Sequence, residues 1–467
     1  MKMWSGRFRQ PLDAEFDDWQ RSFKFDVRLL AYELASSSAH ARALKDAGVV
    51  NSDELISILE GLEQIGKMAG SSADLLNDAD AEDVHHFVER QLVSLIGETG
   101  YKLHSGRSRN EQIAADLRLY VRDAIDELQN RLTELCGVLI ERAEQSGNCA
   151  MPVYTHLQRA EPVLVAHWLL AYLEMFMRDA ERLTDCRKRT NISPLGSGAA
   201  AGATLPVDRR AVANDLEFDG MTANSIDATS DRDFVLEFVN TLSMLALHLS
   251  RWAEEMILFS SQEFGFIGLP EAYSTGSSAM PQKRNPDLLE LTRAKAARVI
   301  GNNTTLLVTV KGLPLAYNKD LQETQEPLFD ASETVESLLP QVTGWLKSAE
   351  FNYERMQESC RSGFMNAWAA ATYLVNRGVP ARLSHEAIGK AVQLCIAKSC
   401  ELQDLSLEEL HQFRPEFDEN FYASLKLDAV LAMHDVSGGT APARVKHALA
   451  QARQKLESVR ERINAHA

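Results

Sequence analysis

Long stretches of the chain repeat apolar residues at intervals of three and four positions, the spacing of a helix that buries one face. One such stripe runs from Leu117 to Leu139, and a second runs from Phe238 to Phe259. Further apolar positions lie outside the second stripe, at Val235, Leu236, Leu247 and Ile257. We therefore expect the second stretch to be a helix buried on all sides, by neighbouring helices or by neighbouring subunits. The pattern predicts a mainly helical chain with few strands.

Breaks in the helical pattern divide the chain into three expected domains. Up to residue 105, helical stretches alternate with short polar breaks such as the helix-cap signal Asn51-Ser52-Asp53-Glu54. The two long stripes follow, and beyond Phe351 the helices are shorter and are punctuated by Gly378-Val379-Pro380 and Ser437-Gly438-Gly439-Thr440. We expect an all-α chain with an N-terminal helical domain (1–105), a central long-helix bundle (106–355) and a C-terminal helical domain (356–467).

Charge and cysteine content exclude several classes of protein. The 467 residues carry a formal net charge of -17 and contain no basic stripe, so neither nucleic acid nor an anionic membrane is an expected partner. The N-terminus lacks a basic-then-apolar signal pattern, and no apolar run reaches the roughly 18 residues of a membrane span. The six cysteines have no zinc or C-x-x-C spacing, and H-E-x-x-H is absent. We expect a cytoplasmic protein with reduced thiols, no metal and no cofactor.

One loop, residues 275–286, concentrates polar groups between two apolar helical stretches. Its sequence is Thr275-Gly276-Ser277-Ser278-Ala279-Met280-Pro281-Gln282-Lys283-Arg284-Asn285-Pro286. Pro286 followed by Asp287 and Glu290 predicts a helix start, and its N–H groups beside Lys283 and Arg284 would attract an anion. A plain polar linker is the alternative. Lys283 is not followed by Ser or Thr, which excludes a Walker phosphate loop and favours a carboxylate ligand.

Four other polar breaks contain residues suited to binding a small anionic substrate. Arg109 and Asn110 precede a long helix, where they form either a carboxylate clamp or a solvated helix start. His156 lies in a junction between helical stretches and is either catalytic or structural. Tyr317 belongs to a segment that is either a helix cap or a pocket wall. The segment 80–86 is either a charged helix start or part of a site.

The loop at 275–286 resembles the signature loop of the fumarase/aspartase superfamily, whose members form fumarate by β-elimination. Gln282 in this loop, with Thr155-His156-Leu157-Gln158-Arg159-Ala160 and Tyr317-Asn318-Lys319-Asp320-Leu321-Gln322, is similar to the argininosuccinate lyase family. The resemblance extends from Trp4-Ser5-Gly6-Arg7-Phe8 almost to the C-terminus. It implies reversible cleavage of argininosuccinate to arginine and fumarate in arginine biosynthesis. It also implies a homotetramer whose active sites are shared between subunits.

The resemblance assigns roles to individual residues. Ser277 would be the general base and His156 the general acid, with Lys283 stabilising the intermediate and Glu290 orienting His156. The implied substrate contacts are Ser22, Arg109, Asn110, Thr155, Asn285, Tyr317 and Gln322. His85 is a further position that would face the site. One departure is Gln325, where many members of the family carry a lysine.

Two other functions remain open at this stage. One is a different fumarate-forming lyase that acts on adenylosuccinate or aspartate, and Gln282 together with the segment 317–322 argues against it. The other is a non-catalytic structural protein on the same scaffold, like the lens crystallins of this family. The presence of Ser277, Lys283 and His156 argues against that role.

Overall fold

The computed structural model describes residues 10–71, 75–76, 78 and 80–464, and these residues are mainly helical, as the periodicity predicts. The segment Trp4–Phe8, which carries part of the resemblance, lies outside them. The helices are α1 (Ala14–Trp19), α2 (Phe23–Asp26), α3 (Leu30–Asp46), α4 (Ser52–Ser71), α5 (Val84–Ile96), α6 (Arg109–Gln145), α7 (Val165–Thr190), α8 (Arg209–Asp215), α9 (Ser225–Ser230), α10 (Asp233–Ser260), α11 (Asp287–Val310), α12 (Gln325–Ser348), α13 (Tyr353–Glu358), α14 (Ala367–Val375), α15 (Ala381–Lys398), α16 (Leu407–His411), α17 (Asn420–Ser424), α18 (Leu427–Met433) and α19 (Pro442–Asn464).

The strands are short and pair in twos. They are β1 (Ala150–Thr155), β2 (Gln158–Leu164), β3 (Ile192–Ser193), β4 (Gly220–Met221), β5 (Ile267–Gly268), β6 (Thr275–Gly276), β7 (Arg284–Asn285) and β8 (Glu350–Phe351). Within the described residues β1 pairs with β2, β5 with β8 and β6 with β7, all antiparallel, and β3 pairs with β4 in parallel. Each pair of strands therefore links segments that lie between helices.

The two predicted apolar stripes coincide with the long helices α6 and α10. Helix α6 has 37 residues, a length of roughly 55 Å, and its stripe from Leu117 to Leu139 is buried throughout. The stripe of α10 from Phe238 to Phe259 is buried as well. Leu247, on another side of α10, is 39% exposed. One chain therefore leaves part of α10 uncovered.

The described residues form two compact units, each assembled from separated stretches of sequence. The first unit comprises the stretch up to Leu128 with Glu181–Met244 and Ala297–Val335. The second comprises Gln129–Ala180, Leu245–Ala296 and the stretch from Glu336 onward. Five long helices, α6, α7, α10, α11 and α12, contribute residues to both units. The three domains expected from the sequence stay a prediction.

In the first unit, helix α3 buries a polar face. Glu33, Ser36, Ser37 and His40 follow one another at helical spacing and are all buried. The neighbouring helix α4 starts with the predicted cap, because Asn51 Oδ1 accepts a hydrogen bond from Glu54 N and Glu54 Oε2 accepts one from Asn51 N, both at 3.0 Å. Buried polar residues need partners, so the face of α3 marks a built polar cluster.

In the second unit, aromatic side chains pack beneath the hairpin of β1 and β2. The ring of Tyr154 on β1 lies 6.0 Å from Phe259 at the end of α10 and 5.3 Å from Phe264, centroid to centroid. Elsewhere in this unit the rings of Trp252 and Trp345 meet edge to face at 5.2 Å. Tyr154 lies one residue before the last pair of the hairpin, so its aromatic contacts hold the hairpin close to its tip, where residues 155–158 are exposed.

No helix of the described residues has the length and apolar character that crossing a membrane requires.

Candidate active site

Arg109, the first residue of α6, is held by Asp83 at the start of α5. Arg109 Nη1 lies 2.9 Å from Asp83 Oδ2, and Asp83 Oδ1 accepts a hydrogen bond from His86 N at 2.8 Å. Burial acts to raise the pKa of the Asp83 carboxyl, but the charges of Arg109 and His85 and the His86 N–H hold that pKa below its usual value. Asp83 therefore stays ionised and fixes the guanidinium of Arg109.

A second carboxylate, Asp26 on α2, holds Ser22 in the same region. Ser22 Oγ donates a hydrogen bond to Asp26 Oδ2 at 2.6 Å, and Val84 N donates one to Asp26 Oδ1 at 3.0 Å. Burial, helped by the negative charge of Asp83, raises the pKa of Asp26 to about 7. Ser22 is buried, and its hydroxyl is turned to Asp26 in this chain.

His85 lies in a buried cluster with Glu33 and Asp116. Its Nε2 is 3.1 Å from Asp116 Oδ2 and 3.7 Å from Glu33 Oε2, and one ligand-type atom from each of the three residues lies within 4.8 Å of the others. Such a group could bind a metal ion. However, the carboxylates already accept hydrogen bonds from two serines and a glutamine, and burial raises the pKa of Asp116 to about 7. A proton shared between the carboxyls is enough to explain the cluster.

The remaining substrate-contact candidates of the first unit have backbone or electrostatic neighbours. Gln322 Nε2 donates a hydrogen bond to Gln20 O, and Asn110 Nδ2 donates one to Ala199 O, both at 3.2 Å. Burial raises the pKa of the Tyr317 phenol, an effect that the guanidinium of Arg232 partly offsets. Five of the expected substrate contacts belong to the first unit: Ser22, Arg109, Asn110, Tyr317 and Gln322.

In the second unit, the loop at 275–286 is closed by a pair of two-residue strands. Thr275 pairs with Asn285 and Gly276 pairs with Arg284. Asp287, at the start of α11, accepts hydrogen bonds from Thr275 N at 3.0 Å and from Thr275 Oγ1 at 2.7 Å. Asn285 Nδ2 donates to Gly276 O at 3.3 Å. The loop is therefore a fastened hairpin on the first turn of α11, where the sequence predicts a helix start.

The two cations of this hairpin have different surroundings. Arg284 donates to Leu269 O at 2.8 Å and pairs with Glu271 at 2.7 Å. The ammonium of Lys283 forms no hydrogen bond or ion pair with the described residues. Lys283 is thus the cation of the loop that is free to meet a ligand.

Ser277 lies where the hairpin turns, and its hydroxyl faces two backbone donors. Its Oγ accepts hydrogen bonds from Ala279 N at 3.3 Å and from Met280 N at 3.1 Å. This arrangement follows from the tight turn, which brings the amides two and three residues ahead back onto the serine side chain. Donors in this position would also stabilise a negative charge on that oxygen.

Thr155 and His156 occupy the tip of the hairpin formed by β1 and β2. Thr155 pairs with Gln158, so His156 and Leu157 form a two-residue turn, and both are left-handed, with φ of 54° and 57°. Two successive left-handed residues make a type I′ turn, a conformation that normally selects Asn and Gly. His156 is exposed, and its imidazole has no hydrogen-bond partner among the described residues.

The structure of one chain does not join His156 to Glu290. Glu290 lies exposed on the first turn of α11, and neither a hydrogen bond nor an ion pair connects the two side chains within the described residues. The four candidate catalytic residues, together with Thr155 and Asn285, belong to the second unit. Their assembly with the candidates of the first unit stays a prediction.

The sequence patterns do not single out Asp26, Glu33 or Asp116. The segment 224–233, which contains Arg232, is interpreted first as a helix cap and second as a substrate contact. Glu33 belongs to the polar face of α3, a pattern that is ordinarily assigned to solvent. Arg232 is 1% exposed and lies immediately before α10. It stands between Asp231 and Asp233, and the sequence contains no signal that it is buried.

The chain is similar to known proteins over most of its length. A sequence model of the lyase family matches residues 6–301, and one of the argininosuccinate lyase C-terminal region matches residues 364–432. The argininosuccinate lyase of Koribacter versatilis (strain Ellin345) is 57% identical over 461 residues, covering 99% of both chains. That of Heliobacterium mobile is 49% identical over 456 residues, covering 97% of this chain and 99% of the relative.

Solved structures show the same fold. An EDDS lyase in complex with formate superposes with a TM-score of 0.87 at 25% identity, covering 98% of this chain and 93% of that one. A class II fumarase from Schistosoma mansoni superposes with a TM-score of 0.74 at 17% identity, covering 85% and 90%. The family models and the relatives place the chain among the lyases of the fumarase/aspartase superfamily. Within it, the chain belongs to the argininosuccinate lyase family, whose members are carbon–nitrogen lyases.

Proposed function

We propose that this chain cleaves argininosuccinate to arginine and fumarate in arginine biosynthesis, and that it acts in the cytoplasm as a homotetramer. The main support for this proposal comes from the groups around the hydroxyl of Ser277. Its Oγ accepts two backbone N–H hydrogen bonds in the loop that also holds the unpaired ammonium of Lys283. A serine hydroxyl is a weak base at neutral pH, and these donors would stabilise the alkoxide that can act as a strong one.

In the first step Ser277 removes a proton from the succinyl carbon next to a carboxylate. The electron pair moves onto that carboxylate, which becomes a dianion. Lys283 and Asn285, on the same hairpin, supply the positive charge and the N–H donor that such an intermediate needs. Removing one donor of this kind typically slows a reaction roughly a hundred- to a thousandfold.

In the second step the carbon–nitrogen bond breaks and fumarate forms. The departing guanidino nitrogen takes a proton from His156, directly or through water. An imidazole suits this step because histidine titrates near neutral pH. Glu290 orients the imidazole of His156 and stabilises its protonated form. In the reverse direction the same groups exchange roles.

Substrate binding is assigned to Ser22, Arg109, Asn110, Thr155, Tyr317 and Gln322. The support is strongest for Arg109, because the ionised carboxylate of Asp83 holds its guanidinium in place. A preoriented guanidinium binds a carboxylate with two parallel hydrogen bonds and loses little conformational freedom.

Exposed apolar side chains support assembly with further copies of the chain. Helix α11 leaves several large apolar residues exposed: Leu291, Ile300, Leu307 and Val308. Apolar surface concentrated on a long helix favours contact with another subunit. The exposure of His156 and Glu290 fits a site completed by other subunits.

The test is fumarate formation, followed by ultraviolet absorbance, from argininosuccinate and in parallel from adenylosuccinate and aspartate. The key variant is Ser277→Ala, and Ser278→Ala is its matched control because the neighbouring hydroxyl accepts neither backbone hydrogen bond. We expect fumarate from argininosuccinate alone, lost in Ser277→Ala and kept in Ser278→Ala. Activity on another substrate alone, or equal loss in both variants, would contradict the proposal.

Shared active sites have their own test. Ser277→Ala and Arg109→Gln subunits are each expected to be inactive. If one active site combines these residues from different subunits, a mixture of the two variants should regain part of the parental activity after subunit exchange. Light scattering gives the size of the assembly, and mass spectrometry of differently labelled subunits reports the exchange. No activity in a fully exchanged mixture would refute a shared site.

A further inference from the structure

Arg232 is a buried arginine that forms no ion pair within the described residues. The residue is 1% exposed and lies in the first unit, directly before α10. Its Nη1 donates a hydrogen bond to Asp231 O at 2.8 Å, while its Nε and Nη2 have no hydrogen-bond partner. No ion pair joins it to a carboxylate of the described residues.

The nearest carboxylate in sequence is engaged elsewhere. Asp231 Oδ1 accepts a hydrogen bond from Asp233 N at 2.7 Å, and Asp231 Oδ2 pairs with Arg118. Arg118 is buried as well, but it also donates to the carbonyl oxygens of Arg189 and Thr190, both at 3.1 Å. Two buried arginines thus lie near the start of α10. Arg118 forms an ion pair and leaves only its Nε without a hydrogen bond, whereas Arg232 forms no ion pair and leaves two donor nitrogens unused.

An unpaired guanidinium is unfavourable in a buried position. Burial lowers the pKa of Arg232 to about 10, so the group still carries its charge at neutral pH. Burying an ion without a counter-charge costs several kcal/mol. The N-terminal end of α10 adds positive potential at the same place, because the first N–H groups of a helix point outward from it. The carboxylate of Asp231 offsets part of this positive charge, and the remainder attracts an anion.

One residue expected to contact substrate, Tyr317, acts electrostatically on this arginine. Tyr317 is the acidic group with the strongest effect on Arg232, and the phenol of Tyr317 in turn is influenced by Arg109 and Asp83. A phenol and a guanidinium both provide donors that suit a carboxylate. At Gln325, where many family members have a lysine, the buried side chain is neutral and its Oε1 has no partner.

We propose that Arg232 binds the α-carboxylate of the arginine half of the substrate. This inference rests on the proposed function, and its chemistry is specific. Argininosuccinate carries three carboxylates, two on the succinyl half, where Lys283 and Asn285 are assigned, and one on the amino-acid half. With a neutral residue at Gln325, Arg232 supplies the cation for the third carboxylate, with Tyr317 donating beside it.

The experiment uses the reverse reaction, in which arginine or agmatine adds to fumarate and the loss of fumarate absorbance is followed. Agmatine is arginine without the carboxylate. In Arg232→Gln we expect the KM for arginine to rise about 30-fold or more, and the KM for fumarate to stay within about twofold. The preference of the parent enzyme for arginine over agmatine should fall by the same factor. Arg232→Lys, which keeps the charge, should recover part of that preference.

Arg118→Gln is the matched control. It removes a buried arginine beside the same helix end, so it should lower the unfolding temperature without changing the preference for arginine over agmatine. If Arg232→Gln does not fold, the comparison of Arg232→Lys with the parent gives the answer. An unchanged preference in the folded Arg232 variants would overturn the inference while the parent still forms fumarate. A parent inactive on argininosuccinate would instead refute the proposed function.

Discussion

Asp26 provides a direct test of the buried carboxylate cluster around Ser22. Burial and the neighbouring Asp83 raise its pKa from an ordinary value near 3.8 to about 7, so the folded state binds this proton more tightly than the unfolded state does. The contribution of such a group to folding is fully present below its ordinary pKa and is lost as the pH rises to its folded pKa. Wild-type stability should therefore fall as the pH rises from acid toward 7.

The magnitude follows from the size of the pKa shift. A shift of about three units corresponds to about 4 kcal/mol between fully protonated and fully ionised Asp26. Between about pH 5.5 and about pH 8.5, roughly half of that total, about 2 kcal/mol, is lost. Asp26→Asn resembles the protonated carboxyl and lacks this loss. The variant has weaker hydrogen bonds to Ser22 and Val84. This weakening lowers its free energy of unfolding by about the same amount at both pH values, so it cancels when the two pH values are compared.

The assay is urea unfolding of the parent and of Asp26→Asn at the two pH values, at one protein concentration because subunit assembly contributes to apparent stability. Between about pH 5.5 and about pH 8.5, we expect the free energy of unfolding of Asp26→Asn to rise by about 2 kcal/mol relative to that of the parent. Glu60→Gln, on the exposed side of α4, is the control and should show no such rise. An equal difference between Asp26→Asn and the parent at both pH values would mean that Asp26 is ionised throughout, and the reasoning would be wrong.

Two further predictions concern backbone geometry in the second unit. Leu157 is left-handed and 70% exposed, and only glycine adopts this φ freely. Leu157→Gly should therefore be more stable than Leu157→Ala by about 1 kcal/mol in urea unfolding. If Leu157→Ala is the more stable variant, the type I′ turn is contradicted. At Gly344, an added Cβ would overlap the Tyr273 hydroxyl, so Gly344→Ala should cost about 1–3 kcal/mol in thermal unfolding. In a background that already contains Tyr273→Ala, most of that cost should disappear. If Gly344→Ala alone is as stable as the parent, this close contact is contradicted.

The long helices could be predicted from sequence because their stripes are local patterns. The residues from Leu117 to Leu139 are buried along α6 as the spacing of three and four requires. The start of α11 after Pro286 is equally local, since it depends on residues within one turn. For the hairpin that carries His156 the sequence predicts only a junction, because its turn lacks the Asn-Gly pair that marks this type of connection.

Some features of the candidate site could likewise be predicted from the sequence, and others could not. The loop residues Ser277 and Lys283 could be selected from sequence because donors and cations crowd into a dozen positions. The environment of Arg109 could not, since the carboxylate that holds it, Asp83, lies on another helix 26 positions earlier. The sequence suggested two cations for a ligand, whereas the structure occupies Arg284 with Leu269 and Glu271.

The sequence by itself determined which segments become helices, where the polar loop lies, and to which family the chain belongs. Helix formation and capping depend on neighbours within a few positions, and family motifs are strings of residues. The tertiary structure alone decided which charged side chains are buried and what they meet: Glu33 and Asp116 around His85, Asp26 with Ser22, and Arg232 without an ion pair. A helical repeat specifies that residues share a face, but burial and pKa depend on what packs against that face, and those partners lie far away in sequence.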